Sequence, residues 1–148
     1  MDIRPMTPGD RAACLAMAEQ FYSSPAVEHA VDPSVLARAF DAAAGPNPRV
    51  DGFVLEEDGR AAGYAYLTYF YSCEVGGDVV MIEELYLKEP FRGRGLGSQF
   101  FRWLLARFPG AARFRLEVTA ENTGAARLYR RWGFRPLGYG QMVLDRDV

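Results

Sequence analysis

The sequence predicts an α/β (α+β) fold in which a mixed sheet carries helices on both faces. Two observations lead there. From Val50 to Leu87 the apolar residues fall in strand-length runs separated by turn signals, whereas on either side of that block they recur at helical spacing. From Val79 onward the order is strand, glycine-rich loop, helix. No repeat, low-complexity segment or linker divides the 148 residues, so one domain is expected over residues 1–148.

The elements follow in order. Asp2 to Pro5 alternates as a strand. Thr7-Pro8-Gly9-Asp10 then supplies a capping hydroxyl, a proline at the first helical position and an acid at the third, so a helix is expected to about Tyr22. Asp32-Pro33 repeats the start signal, and Val35, Leu36, Ala39 and Phe40 make a second helix that ends before Gly45-Pro46. Phe53 to Leu55, the turn Glu57-Asp58-Gly59-Arg60 and the run Ala61 to Tyr71 read as an antiparallel hairpin. A strand Val79 to Leu87 stops at Glu89-Pro90. Phe100, Phe101, Leu104, Leu105 and Phe108 form a helical stripe closed by Pro109-Gly110. Phe114 to Val118 is a further strand, Asn122 to Trp132 a helix closed by Gly133, and Phe134 to Asp145 one or two final strands.

Composition excludes several classes of function. Apolar residues at 49% and charged residues at 24% suit a soluble globular chain. A net charge of -2 provides no overall basic field for gripping nucleic acid. No apolar run reaches the length of about 18 residues that a membrane helix needs, and the start lacks the pattern of an export signal. Cys14 and Cys73 stand far apart, which fits reduced thiols and a cytoplasmic setting. With His29 the only histidine, neither a zinc site nor a histidine-activated nucleophile is expected, and no metal is implied.

One segment carries chemistry. Arg92-Gly93-Arg94-Gly95-Leu96-Gly97-Ser98 lies between a strand end and a helix start, where free amides and the helix dipole favour an anion. A plain tight turn would use the same glycines. The dinucleotide fingerprint wants glycine in place of Ser98, and the nucleotide P-loop wants a Gly-Lys-Ser/Thr ending that is missing. Arg92, Gly95 and Gly97 instead match the pyrophosphate loop written Arg/Gln, two residues, Gly, one residue, Gly/Ala. Upstream, Ile82-Glu83-Glu84-Leu85-Tyr86-Leu87, and downstream, Asn122, Ala125, Leu128-Tyr129 and Gly133-Phe134, extend the match from Val79 to Phe134. With these three blocks the chain resembles the GNAT superfamily of acetyl-CoA-dependent N-acetyltransferases.

That resemblance implies a mostly antiparallel central sheet of six to seven strands with a V-shaped splay. It implies acetyl-CoA as acetyl donor, its pantetheine arm pairing with the strand edge Leu85, Tyr86 and Leu87, and its pyrophosphate on the amides of Arg92 to Ser98. Arg92 and Arg94 add charge, although a solvated surface arginine is the plainer reading of Arg94. Asn122 is either a helix cap or a pantetheine contact. The acceptor must be a neutral amine, and an ammonium of pKa about 10.4 is neutral in roughly one molecule in 2,500 at pH 7. A general base is therefore expected.

Glu83 and Glu84 interrupt an apolar strand, where strict alternation sends them to opposite faces. Glu83, on the face of Leu85 and Leu87, is favoured as base through water, with Glu84 structural or amine-orienting; an ion-paired strand-edge role for both is the alternative. Tyr129, seven residues after Asn122, matches the family's acid for the departing thiolate, and the Leu87 amide is the expected oxyanion donor. No activated cysteine points to a covalent intermediate, so direct attack in a ternary complex follows, with Cys73 in its polar loop a small reservation.

The acceptor is less defined. Glu74, Glu83 and Glu84 among Tyr69 and Tyr71, with Glu28-His29, would make an acidic aromatic pocket for a small polyamine-like cation, against ordinary sheet packing of the tyrosines. Acetylation of a protein N-terminus or lysine is the second enzyme reading and predicts an open groove; a non-catalytic coenzyme A-binding domain is the reading from another class. The family's habit of pairing through final strands or helices makes a homodimer an open question.

Overall fold

Asp10 starts the first helix as the sequence requires. In the computed structural model, which describes residues 1–147, its carboxylate accepts from the Thr7 amide at 2.8 Å and from both terminal nitrogens of Arg4 at 2.8 and 2.9 Å. Arg4 lies on β1 (Asp2–Pro5), so one carboxylate ties the first strand to the helix start. Arg4 holds the Asp10 carboxyl down at about 2. Pro8 to Asp10 form a 3-10 turn ahead of α1 (Arg11–Tyr22), which splits the expected single helix in two. Asp32 caps α2 (Pro33–Ala43), accepting from the Ser34 amide at 2.8 Å.

The sheet is built by β2 (Val50–Glu57), β3 (Arg60–Ser72), β4 (Gly77–Leu87) and the short β5 (Arg113–Leu116) beside β1, in the order β1-β2-β3-β4-β5. The three pairs of neighbours up to β4 are antiparallel, and β5 runs parallel to β4. Asp58 and Gly59, both at positive φ, turn β2 into β3 as a type I′ turn demands. Between β4 and β5 the chain crosses through α3 (Leu96–Arg107), and after β5 it forms α4 (Thr123–Arg131).

Among the described residues the sheet has five strands, not six to seven. The shortfall is the segment Phe134 to Asp145, expected to be strand and observed as irregular chain. Pro136 has no amide to donate to a ladder and Gly138 turns the chain at φ +89°. Tyr139, Met142, Val143 and Leu144 consequently stand exposed.

Alternation along the strands divides the core into two layers. Val54, Tyr64, Tyr66 and Tyr86 pack against Cys14, Met17, Phe21, Leu36 and Phe40 of α1 and α2. Phe53, Leu55, Ala65, Leu67, Val80 and Ile82 pack against Phe100, Phe101 and Leu104 of α3 on the other face. Each such side chain contributes about 1.5–3 kcal/mol through burial, so the helices are held by their stripes more than by helix propensity. No helix among the described residues is long and apolar enough to cross a membrane.

Candidate active site

The site originates in one extra residue. Tyr66 pairs with Glu84 and Leu67 with Ile82, so Glu83 has no partner on β3 and forms a β-bulge. The β4–β5 ladder ends at the same place, at Ile82 opposite Leu116, while β4 continues to Leu87. Bulge and splay coincide. Beyond them the Lys88 amide donates to the Ala62 carbonyl, so by antiparallel alternation Leu85 and Leu87 turn their N–H and C=O groups to the side β5 has left.

A cleft of about 670 Å³ fills that gap, lined by Leu85 to Leu87, the Arg92 to Ser98 loop, the start of α4 and the loop after α1. Gly93 at φ +72° and Gly95 at φ +79° shape the loop, and from Gly93 to Ser98 no amide makes a backbone hydrogen bond; the first to do so is Gln99, to Gly95. These six amides are free of backbone partners at the N-terminus of α3, where the helix dipole favours an anion. The Arg92 Nε donates to the Leu87 carbonyl at 2.8 Å and its guanidinium covers Tyr86, which holds the side chain in the cleft. Arg94 lies over Phe91 and is absent from the cleft wall. Asn122 caps α4 through the Ala125 amide at 3.4 Å and also lines the cleft. Across the mouth, the Thr119 hydroxyl donates to the Pro25 carbonyl at 2.6 Å, and Ser24, Pro25 and Ala26 form the opposite wall.

Tyr129 is half-buried against Phe101 and Phe134, and desolvation raises its phenol above the ordinary value. It lines this cleft and also a second cavity of about 770 Å³ between β5, α4 and the C-terminal segment. Glu117, the first residue past β5, lines that second cavity and accepts from Gln141 Nε2 at 3.2 Å. The sequence reading passed over Glu117, although a carboxylate directly after the strand that leaves the splay is a usable signal.

The bulge overturns the opposite-face reading of the two glutamates. Glu84 accepts from Tyr64 at 2.7 Å and from Tyr22 at 3.2 Å, and Glu83 accepts from Thr68 at 2.8 Å, so both turn to the face that carries α1. Burial pushes the Glu84 carboxyl up, against the pull of the two tyrosine hydroxyls, and neighbouring Glu83 adds to the rise. Glu83 is exposed with one protein partner. The expected acceptor residues are not brought to the cleft. Glu74 pairs with Arg113 at 3.2 Å, Tyr69 donates to Asp51 at 2.7 Å, and Tyr71 is exposed, all at the end of β3 and β4 far from Leu85. Glu28 and His29 are exposed in the loop after α1 and outside the cleft wall. Cys14 is buried in the core, where burial pushes its thiol to about 11, and Cys73 is exposed in the turn before β4.

A parallel strand pair parting over a loop of free amides is the framework of an N-acetyltransferase fold. The chain belongs to the acetyltransferase (GNAT) family, whose model matches residues 15–134. It is 33% identical over 94 residues to a putative [ribosomal protein bS18]-alanine N-acetyltransferase of Bacillus subtilis, covering 62% of this chain and 58% of that protein. It is 34% identical over 77 residues to the thialysine N-epsilon-acetyltransferase of Sus scrofa, covering 51% and 45%. The chain thus spans about half the length of these curated relatives. A predicted acetyltransferase of Clostridium acetobutylicum solved with acetyl-CoA superposes with a TM-score of 0.77 at 15% identity, over 97% of this chain and 95% of that one.

Proposed function

We propose that this protein transfers the acetyl group of acetyl-CoA directly to a primary amine within a ternary complex. The observation that carries the reading is the position of Tyr129: a half-buried phenol on the walls of both cavities, the first of which also takes in the edge Leu85 to Leu87. The pantetheine amides would pair with the outward N–H and C=O groups of Leu85, the pyrophosphate with the loop amides and Arg92. Leu87 N–H is the oxyanion donor and Tyr129 the acid that protonates the leaving thiolate. Glu83, exposed and with free lone pairs, accepts the amine proton through water, while Glu84 is closed off by two tyrosines and fixes α1 to the sheet.

For the acceptor we favour the α-amine of a polypeptide over a small polycation. Glu74 and Tyr69 of the polycation reading pair with Arg113 and Asp51 away from the cleft, and one relative is a putative ribosomal-protein alanine acetyltransferase. Thiol release should be measured with peptides beginning in alanine, with polyamines and with lysine analogues. Tyr129→Phe is expected to lower kcat by about 10²-fold with KM little changed, and Glu83→Gln to lower kcat at neutral pH by a factor of the same order. Equal loss in Glu117→Gln and none in Glu83→Gln would move the base to Glu117. Coenzyme binding without turnover on any amine would sink the catalytic reading.

A further inference from the structure

Two arginines of the cleft are left over from that account. Arg127 and Arg131 stand one turn apart on α4, both exposed and both on the cleft wall. Neither forms an ion pair among the described residues. Arg130, between them, lines the other cavity instead. The Arg127 guanidinium lies folded along the first turn of α4, 3.9 Å from where a β-carbon on Gly124 would stand, so it stays at the rim. With Arg92 these residues set three cations against the single acid Glu121 on the walls, in a chain whose net charge is -2. An arginine left unpaired in an acidic protein, twice on one helix face, is placed for an anion that the protein does not itself supply.

The donor has a second anionic group. Its pyrophosphate is matched by the six amides of the α3 loop, but its ribose carries a separate 3′-phosphate, a monoester near -2 at neutral pH with three acceptor oxygens. The opposite wall has no amide loop to take it. We propose that Arg127 and Arg131 bind the 3′-phosphate and make this protein select 3′-phosphorylated over dephosphorylated coenzyme. The proposal rests on the acetyl-CoA reading above. Guanidinium forks suit a monoester because two N–H groups meet two oxygens at once.

Calorimetric binding of CoA and of 3′-dephospho-CoA tests it without turnover. The wild-type protein should prefer CoA by about tenfold, the size of a charge-assisted contact partly screened by solvent. The pair Arg127→Gln and Arg131→Gln should bring the two affinities together by weakening CoA while leaving dephospho-CoA unchanged. Arg130→Gln removes the same charge from the same helix and should keep the preference. An unchanged preference in the double variant, or an equal loss in Arg130→Gln, overturns the proposal while leaving the donor reading standing. Failure of the wild type to bind either coenzyme overturns the donor reading and this one with it.

Discussion

Glu84 shows what a single residue can carry that its position in the sequence does not announce. Its burial beneath α1 raises the folded-state carboxyl above the unfolded value, so the folded protein holds the proton more tightly. Stability from this group is therefore greatest at low pH and is lost as pH rises above about 4.3 through the folded value. Glu84→Gln retains a polar partner for Tyr22 and Tyr64 without the charge. Its stability relative to wild type should improve from pH 5 to pH 8 in urea titrations; a relative stability that falls over that range would mean that the two tyrosines overcompensate burial. Asp10 has the opposite sign. Its carboxyl is lowered to about 2 by Arg4, so its contribution is complete above the unfolded value near 3.9 and fades as pH falls toward 2. Asp10→Asn should be destabilised by about 1 kcal/mol at pH 7, the size of a lost cap with an exposed ion pair, and should approach wild type at pH 2 in thermal melts. Arg92, Gly95 and Tyr129 were legible because loop chemistry depends on residue type and spacing. The glutamates were misread because a bulge shifts the strand's parity, and no residue type marks it.

At the scale of elements, α3 and α4 are held together by contacts that the glycine pattern only partly foretold. Gly97 serves packing as well as the loop: a β-carbon there would meet Leu128 Cδ2 at 2.6 Å. Trp132 Nε1 donates to the Ser98 hydroxyl at 3.2 Å one turn away. Gly97→Ala must push Leu128 to another rotamer, at a cost of about 1–3 kcal/mol for overpacking. Since the obstacle is a side-chain end, Leu128→Ala in the same protein should recover part of that loss in chemical denaturation. Additive losses would show that the backbones, not Leu128, set the helix spacing. The four helices and five strands were legible from periodicity, caps and turns, which act locally. The ending was not. Pro136 and Gly138 argue against pairing locally, yet the apolar residues between Phe134 and Asp145 imitate strands, and only the absence of a ladder partner decides.

For the whole molecule, the consequence of parting β4 from β5 is that the two halves of the sheet meet through only four paired positions, Val79 to Ile82 with Arg113 to Leu116. A ligand that pairs with Leu85 and Leu87 on one side and contacts α4 on the other would join those halves. Binding to the folded state alone stabilises it by about 2.7 kcal/mol at a ligand concentration 100 times Kd. For a chain of this size that corresponds to a rise in Tm of roughly 5–10 °C. Acetyl-CoA should produce such a shift, whereas adenosine without phosphates should not. The loop supplies the control. Gly95 sits at φ +79°, so Gly95→Val forces a strained backbone just where the free amides begin. That variant should melt below wild type without ligand, because the backbone strain remains even with open space around the new β-carbon, and should in addition lose most of the coenzyme-induced shift. A full shift in Gly95→Val would show that the amide loop does not hold the pyrophosphate, and the coenzyme would have to be anchored by the arginines and the strand edge alone.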